Sequence, residues 1–418
     1  MSSAAESAAL EGNSHSPHTP REPVRVIDDR DEYREAVSAI AAGHGPIGID
    51  AERASGYRYS QRAYLIQIFR RGSGTFLFDP PAIGDFGDLN ETIAEEEWIL
   101  HAATQDLPCL REVGLHPTRL FDTELGARLA GLPRVGLGTV VEDLLGIHLA
   151  KEHSSADWST RPLPDSWLVY AALDVELLVD LRETLGERLD NDGKTEIARQ
   201  EFESVLTREL VTVRPEPWRR LSGVHSLRGG KNLAVARELW VARDSYAREV
   251  DTAPGRLVPD SALLAAAKVL PESKRQLSGI KEFSGRASRS QIDRWWNAIQ
   301  TGLSSTDIPA SRVPRDTPPP PRVWADKNPE ADRRLKAARA VMAEFSEELS
   351  IPVENLLTPD FLRRIAWNPP TEITVESISD ALTKLGARQW QIDVSAQSIT
   401  EAFVEANQTP ADSDDTKS

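Results

Sequence analysis

Two carboxylates stand at the end of an apolar, strand-like run near the N-terminus. The segment PIGIDAE places Asp50 and Glu52 two residues apart, and on a strand such residues project from the same face. Adjacent carboxylates repel each other when they leave water, and a divalent cation is the natural compensation. Mg²⁺ suits carboxylate and water ligands best, with Mn²⁺ as an alternative. The pair favours a metal site, although many strands end in acids that simply face water.

Two later segments add acids in comparable settings. In ILHAATQDLPCL an apolar strand precedes a helix that carries Asp106 in its first turn. In SWLVYAALDVELL, Tyr170 and Asp174 are four residues apart and share one helical face. Each has a simpler explanation, because acids commonly stabilise helix N-termini and half-buried tyrosines are ordinary in amphipathic helices. Only the combination indicates an active site.

The composition is that of a multidomain soluble protein. The 418 residues suggest two to four domains, and no apolar run approaches the length of a membrane span. The polar N-terminus lacks the basic start and apolar core of a signal peptide. Cys109 is the single cysteine and lies beside Leu107 and Leu110, which predicts a core thiol and no internal disulfide. These features predict a cytoplasmic protein.

The charge distribution separates one basic segment from an acidic remainder. The net charge is −16, but residues 218–303 hold 15 basic and 8 acidic residues, a net charge of +7. Nucleic-acid backbones are held by such local patches and not by the overall charge. The candidates for a nucleic-acid-binding face are Arg228, Lys231, Lys274, Arg275 and Lys281.

Alternating strand-like and helix-like segments over 23–215 predict an α/β domain with a mixed sheet and flanking helices. Residues 218–303 and 325–405 predict two all-α modules joined by a proline-rich linker at 304–324. The second module looks like a divergent copy of the first. Pro259-Asp260 and Pro359-Asp360 open corresponding helices, with a loop four residues longer in the second copy. Residues 1–22 and the acidic 406–418 are predicted to be disordered tails.

The order of these motifs resembles the ribonuclease D family of DEDDy 3′–5′ exonucleases. Asp50-Ala51-Glu52 matches its first motif, HAATQDLPCL its second, and the Tyr170–Asp174 pair its third. The basic module resembles the HRDC domain that follows the nuclease domain in this family. The likeness extends over about 23–405. One departure is Arg53, which follows Glu52 where the family usually has phenylalanine at a position bordering the substrate. An arginine there could stack on a base or contact a phosphate.

The resemblance implies a ribonuclease H-like nuclease fold followed by two HRDC-type helical domains. It implies two divalent ions, Mg²⁺ or Mn²⁺, the first held by Asp50, Glu52 and Asp174. Asp50 would bridge to the second ion, Asp106 would assist through water, and Tyr170 would orient the attacking water. The implied reaction is hydrolysis at RNA 3′ ends to nucleoside 5′-monophosphates. The implied partner is RNA with a single-stranded 3′ end, such as a tRNA precursor, with no membrane and no obligate protein partner.

Two alternatives remain open from the residues alone. A 3′–5′ DNA exonuclease acting in repair would use the same chemistry, because no residue pattern identifies a reader of the 2′-hydroxyl. A non-catalytic nucleic-acid-binding scaffold would keep the basic module with a vestigial acidic site.

Other polar or aromatic residues receive structural interpretations. We expect His101 to be packed, Asp122 to cap or orient a helix, and Trp295 and Trp296 to pack within the first helical module. Loop charges exposed to solvent are expected at Lys151, His153 and Arg161.

Overall fold

The structure, a computed structural model, describes residues 19–20, 23–149, 153, 155–209, 215–312 and 317–408. Most of the two predicted disordered tails therefore lies outside the described residues, as does Lys151. Among the described residues, no helix is long and apolar enough to cross a membrane.

Six strands form one mixed sheet at the centre of the first domain. Its order is β1-β4-β3-β2-β5-β6, in which the pairs β2–β3 and β3–β4 are antiparallel and the pairs β1–β4, β2–β5 and β5–β6 are parallel. The strands are β1 (Val26–Ile27), β2 (His44–Arg53), β3 (Ala63–Arg71), β4 (Gly74–Phe78), β5 (Glu97–Leu100) and β6 (Arg119–Asp122).

Helices cover both faces of this sheet. They are α1 (Arg30–Ala42), α2 (Pro80–Ile83), α3 (Gly87–Ile93), α4 (Leu107–Glu112), α5 (Thr123–Leu129), α6 (Leu137–Leu145), α7 (Asp165–Glu176), α8 (Leu178–Asn191) and α9 (Thr195–Thr207). One core packs α1, α3 and α4 against the sheet, while α7 and α8 cross the opposite face over β2. The predicted α/β fold class is confirmed. Helices α7 and α8 are separated at Leu177, where two consecutive leucines, Leu177 and Leu178, are both buried.

Strand β2 shows why the sequence pattern specifies its two faces. Ile47, Ile49 and Ala51 are buried on one face in a core with α1 and β3. The alternate positions, Gly48, Asp50 and Glu52, project toward α7 and α8 because successive side chains of a strand alternate. A shift of one residue would bury both acids in the apolar core, so the pattern fixes the register.

The second domain is entirely helical within the described residues. Its helices are α10 (Gly230–Glu249), α11 (Pro254–Leu257), α12 (Asp260–Val269), α13 (Lys274–Ser278), α14 (Arg286–Ser290) and α15 (Ile292–Ser304), with short 3₁₀ helices at Pro217–Arg220, Val224–Ser226 and Lys281–Phe283. They enclose a core of their own that includes the buried Trp295, and Trp296 packs at its margin. Both tryptophans therefore have the packing role expected of them.

The last module is also helical and shares its core with the first domain. A 3₁₀ helix at Pro321–Val323 precedes α16 (Trp324–Lys327), α17 (Pro329–Leu349), α18 (Val353–Leu356), α19 (Pro359–Trp367), α20 (Val375–Leu385) and α21 (Gln389–Gln408). One apolar cluster runs from β5, α5 and α8 into α17, α19 and α21. Buried Glu201 of α9 accepts hydrogen bonds from the Arg388 guanidinium at 2.6 and 2.7 Å and from the Trp390 indole at 2.7 Å. The nuclease domain and the last module are thus packed as one body.

The two helical modules follow the same order, as the predicted repeat requires. A long helix, a one-turn helix and a helix opened by Pro-Asp occur as α10, α11, α12 and again as α17, α18, α19. The predicted four-residue lengthening of the loop is wrong, because 250–259 and 350–358 are nearly equal connections. In addition, α21 continues to Gln408, so the predicted disordered tail does not begin at 406.

Candidate active site

Three of the predicted site carboxylates converge in space. Ligand oxygens of Asp50, Glu52 and Asp174 all lie within 4.8 Å of one another. Asp50 and Glu52 come from the end of β2, beyond its pairing with β5, and Asp174 comes from the last turn of α7. The structure therefore joins two motifs that are more than 100 residues apart in the sequence.

Gly48 allows this convergence. A Cβ atom at Gly48 would lie 2.7 Å from the carbonyl oxygen of Val175 and 3.3 Å from the Leu178 Cβ. The backbone after Asp174 therefore rests directly on the β2 backbone, two residues before Asp50. Sequence reasoning missed this residue, although a lone glycine inside a strand is a known sign of close backbone approach.

A second contact fixes α7 on the sheet. Glu176 is buried, and its carboxylate accepts a hydrogen bond of 2.6 Å from the hydroxyl of Thr75 on β4. Because Glu176 lies two residues after Asp174, this bond anchors the end of the helix that carries the third carboxylate. The position of Asp174 is thus set by contacts to both β2 and β4.

The electrostatic surroundings of the three carboxyl groups disfavour their ionised forms. Removal from water raises the pKa of Asp50, Glu52 and Asp174, and the charge of Asp50 raises the pKa of both other carboxyls further. Each group therefore resists ionisation, and a nearby positive charge would favour the ionised state. Carboxylate oxygens in such a group are the hard ligands that Mg²⁺ and Mn²⁺ prefer. The residues present therefore fit a divalent-metal site.

Asp106 is buried beside this group but is not one of the three converging residues. It precedes α4, and its side chain makes no capping hydrogen bond to that helix. Asp106 stands at the N-terminus of α4, so the simpler explanation, stabilisation of that helix end by an acid, still applies to it. Burial raises the pKa of Asp106, and the charge of Asp50 raises it further, which places the two carboxylates in one electrostatic unit.

Asp122 fixes the turn that leads to Asp106. Its carboxylate accepts hydrogen bonds from the N–H groups of Ala102 at 3.0 Å and Ala103 at 2.8 Å, directly after β5. The same carboxylate caps α5 by accepting from the N–H groups of Glu124 and Leu125. The expected capping role is confirmed, and the structure adds a positioning role for the Asp106 turn.

Arg53 lies beside the acids at the end of β2. A terminal nitrogen of its guanidinium is 3.8 Å from Asp106 Oδ1. Its positive charge lowers the pKa of Asp50, Glu52 and Asp106, opposing the effect of burial. The arginine that departs from the expected family pattern is therefore part of the acidic site.

Tyr170 lies one helical turn before Asp174 on α7, and the two side chains influence each other electrostatically. Burial, together with the charges of Asp174 and Glu52, raises the pKa of Tyr170 far above its ordinary value. The phenol is consequently protonated at neutral pH. The His153 ring meets Tyr170 edge to face, with centroids 5.9 Å apart, so His153 is not the solvent-exposed loop residue we expected.

Arg161 is also not a free loop charge. Its guanidinium forms an ion pair of 2.6 Å with buried Asp79 and donates to the carbonyl oxygens of Tyr64 at 2.8 Å and Trp158 at 2.8 Å. These bonds join the segment before α7 to β3 and to the end of β4. The expectation failed because the partner, Asp79, is 82 residues away in the sequence.

The first helical module contacts the loop that follows Arg53. Asp251, at φ +42°, accepts a hydrogen bond of 2.9 Å from the Ser60 N–H and one of 3.2 Å from the Tyr64 hydroxyl. Arg256 donates to the Gly56 carbonyl at 2.6 Å. This polar contact places the helical module next to the catalytic end of β2, and no sequence pattern indicated it.

The candidate nucleic-acid-binding residues differ in their surroundings. Arg228, Arg275 and Lys281 are exposed. Lys231 donates to the carbonyl oxygens of Leu303 at 2.7 Å and Ser305 at 2.9 Å, and Lys274 pairs with Asp293 at 2.6 Å. These last two lysines are thus already engaged in contacts within the module.

His101 has the packed environment expected of it. Its Nδ1 atom lies 2.9 Å from the Thr123 hydroxyl, and burial lowers the pKa of the imidazole to about 4. The ring is therefore neutral at physiological pH and is not a general base for this site.

Known protein families match three consecutive parts of this chain. Residues 24–190 match the family model described as "3'-5' exonuclease", 232–299 match "HRDC domain", and 317–403 match "3' to 5' exonuclease C-terminal domain". The fold and site define a 3′–5′ exonuclease followed by an HRDC domain and a helical C-terminal region.

Similarity to individual proteins identifies the family within this class of 3′–5′ exonucleases. A ribonuclease D from Jannaschia sp. is 31% identical over 292 residues, covering 67% of this chain and 74% of the relative. A solved protein from Bifidobacterium adolescentis is 38% identical with a TM-score of 0.85, covering 92% of this chain and 98% of that one. Escherichia coli RNase D, described as an exoribonuclease involved in structured RNA processing, is 25% identical with a TM-score of 0.67, covering 91% and 99%. The chain belongs to the ribonuclease D family, and it is a 3′–5′ exoribonuclease.

Proposed function

We propose that this enzyme trims single-stranded 3′ ends of structured RNA, such as tRNA precursors, and releases nucleoside 5′-monophosphates. The observation that carries the proposal is the convergence of Asp50, Glu52 and Asp174 within 4.8 Å, with Tyr170 one helical turn before Asp174. The substrate class is supported by the Escherichia coli relative, which is described as an exoribonuclease involved in structured RNA processing.

We infer that two divalent ions, Mg²⁺ or Mn²⁺, complete the site. Asp50, Glu52 and Asp174 would hold one ion, while Asp50 and Asp106 would serve the other. Bound ions would neutralise charge on the phosphate and make water a better nucleophile. The fit rests on the oxygen donors and on pKa values that are raised by desolvation and mutual repulsion.

Tyr170 orients the attacking water in this mechanism. Because burial and neighbouring charges raise its pKa, the phenol keeps its proton and acts as a hydrogen-bonding group and not as a base. Its place one helical turn before Asp174 puts the phenol beside the three carboxylates. A bound divalent ion would lower the pKa of the attacking water, and an ionised carboxylate of the site would accept its proton.

The helical modules extend the RNA-binding surface. We propose a nuclease domain at 23–215, an HRDC domain at 218–303, a linker at 304–324 and a second HRDC-like module at 325–405. The contact of Asp251 and Arg256 with the loop after β2 supports an RNA path from the HRDC domain to the acids. In this path Arg53 meets the RNA at the site, and the exposed Arg228, Arg275 and Lys281 meet it farther out. Lys231 and Lys274 would join them after leaving their partners. We place the enzyme in the cytoplasm with its RNA substrates.

The test is degradation of a tRNA-like RNA with a 3′ overhang and of the matching DNA, in Mg²⁺, Mn²⁺ or EDTA. Wild type should shorten the RNA stepwise from its 3′ end, and EDTA or Asp174→Ala should abolish the reaction. Glu203→Ala, at an exposed ion pair with Arg199 on α9 outside the proposed RNA path, is the matched control and should retain full activity. Faster loss of the DNA would contradict the RNA substrate, and metal-independent trimming would contradict the metal site.

A further inference from the structure

Arg53 stands between the acidic site and solvent. Its side chain is 26% exposed, while the Asp106 carboxylate that it faces at 3.8 Å is 8% exposed. The separation is longer than a hydrogen bond, so the contact is an ion pair without a directional bond. Such a pair holds charge in place but leaves the guanidinium able to move.

The pair lies on one side of the site. The Asp50, Glu52 and Asp174 oxygens form a mutual group in which Asp106 has no part. Asp106 instead has a cation of the protein's own beside it. The group of Asp50, Glu52 and Asp174 and the Asp106 carboxylate therefore differ in their surroundings, because only Asp106 forms an ion pair with Arg53.

We propose that Arg53 is the resident counter-ion of Asp106, that a divalent ion uses Asp106 only after Arg53 leaves it, and that the released guanidinium then binds an RNA phosphate. The inference rests on the proposed function for its RNA step. Arginine suits such an exchange because its fork of N–H donors matches phosphate oxygens as well as carboxylate oxygens. The Arg53 side chain is 26% exposed and lies 3.8 Å from Asp106. A rotation of this side chain is therefore enough to move the guanidinium away from Asp106.

Two consequences follow for binding. Without RNA, the protein binds a divalent ion at Asp50, Glu52 and Asp174 more tightly than it binds one at Asp106. The reason is that an ion at Asp106 must first displace Arg53. RNA makes the displacement easier by offering the guanidinium a phosphate. Binding of a divalent ion at Asp106 is thereby coupled to RNA binding. Loss of the Arg53 charge removes this coupling.

The first test is Mn²⁺ titration of the full-length protein by calorimetry, without RNA. Arg53→Met keeps the length of the side chain and removes its charge, and it should tighten the weaker Mn²⁺ site about tenfold. The gain should vanish in the Asp106→Asn background, since the proposed competition acts through that carboxylate. Arg134→Met is the matched control, because Arg134 forms an ion pair of the same 3.8 Å length with Asp143 of α6. Thermal melting of each variant confirms that it is folded.

The second test measures binding of an RNA whose 3′-terminal bridging oxygen is replaced by a methylene group, which prevents cleavage. Fluorescence anisotropy in Mn²⁺ should show several-fold weaker RNA binding by Arg53→Met, with no difference between the proteins in EDTA.

Unchanged Mn²⁺ affinities in folded Arg53→Met, or a gain that persists in the Asp106→Asn background, would overturn the counter-ion role. A tighter Mn²⁺ site with unaltered RNA binding would overturn the transfer to phosphate. Neither result depends on catalysis. A failure of wild type to trim RNA would instead contradict the proposed function and leave the Mn²⁺ titration valid.

Discussion

Replacement of Gly48 by alanine tests how the third carboxylate is delivered to the site. The added methyl group would lie 2.7 Å from the Val175 carbonyl oxygen, whereas ordinary van der Waals contact begins at 3.4 Å. The obstructing atom belongs to the backbone next to Asp174, so no flexible side chain can move aside. The end of α7 must therefore shift away from β2.

The required displacement is about 0.7 Å, the difference between these two distances. Asp174 would move away from Asp50 and Glu52 by a similar amount. A misplacement of about 1 Å in a catalytic group can lower the rate about 100-fold, so we expect kcat to fall about 10- to 100-fold. Overpacking of this kind lowers the free energy of unfolding by about 1–3 kcal/mol.

The assay is single-turnover trimming of the 3′-overhang RNA, combined with Mn²⁺ calorimetry and urea unfolding. Mn²⁺ affinity should fall together with kcat, because the displaced Asp174 is one of the three carboxylates proposed to hold the ion. Gly136→Ala is the control, since a Cβ there meets nothing within 4 Å and the backbone φ of −66° accepts alanine. Its activity should be close to that of wild type.

A folded Gly48→Ala protein with activity within twofold of wild type would refute the reasoning. So would a large loss of activity with unchanged Mn²⁺ affinity, because the displacement is argued to act through the metal ligands.

Three further perturbations test other parts of the site and its support. Tyr170→Phe removes the hydroxyl but keeps the ring, and we expect kcat to fall about 100-fold or more with Mn²⁺ affinity unchanged; normal kcat would exclude the orienting role. Burial and neighbouring carboxylates raise the pKa of Glu52 above its ordinary 4.5, so the folded state holds this proton more tightly than the unfolded state. The contribution of Glu52 to the stability of the metal-free protein should therefore be greatest below pH 4.5 and be lost as the pH rises above it. Accordingly, Glu52→Gln should raise the melting temperature at pH 7.5 but not at pH 4, and an equal effect at both would contradict this linkage. Asp251→Ala leaves the Ser60 N–H unpaired at the domain contact and should destabilise that contact by about 1–3 kcal/mol; faster limited proteolysis between the domains, absent in Asp293→Ala, is the expected sign.

Local patterns in the sequence specified the elements and the residues of the site. The period of two in PIGIDAE put Asp50 and Glu52 on the same face of a strand, and the four-residue spacing put Tyr170 and Asp174 on one helical turn. Both relations depend only on backbone geometry over a few residues. The α/β class followed from the same kind of local information, as did the helical character of the later modules.

Only the tertiary structure decided how these pieces meet. The grouping of Asp50 with Asp174, the position of Asp106 beside Arg53 and the pairing of Arg161 with Asp79 join segments far apart in the chain. No local period encodes such distances, because they depend on how each helix seats on the sheet. The core shared by the nuclease domain and the last module is another feature that only the tertiary structure decided. An apolar helix face predicts burial but does not name the surface that covers it.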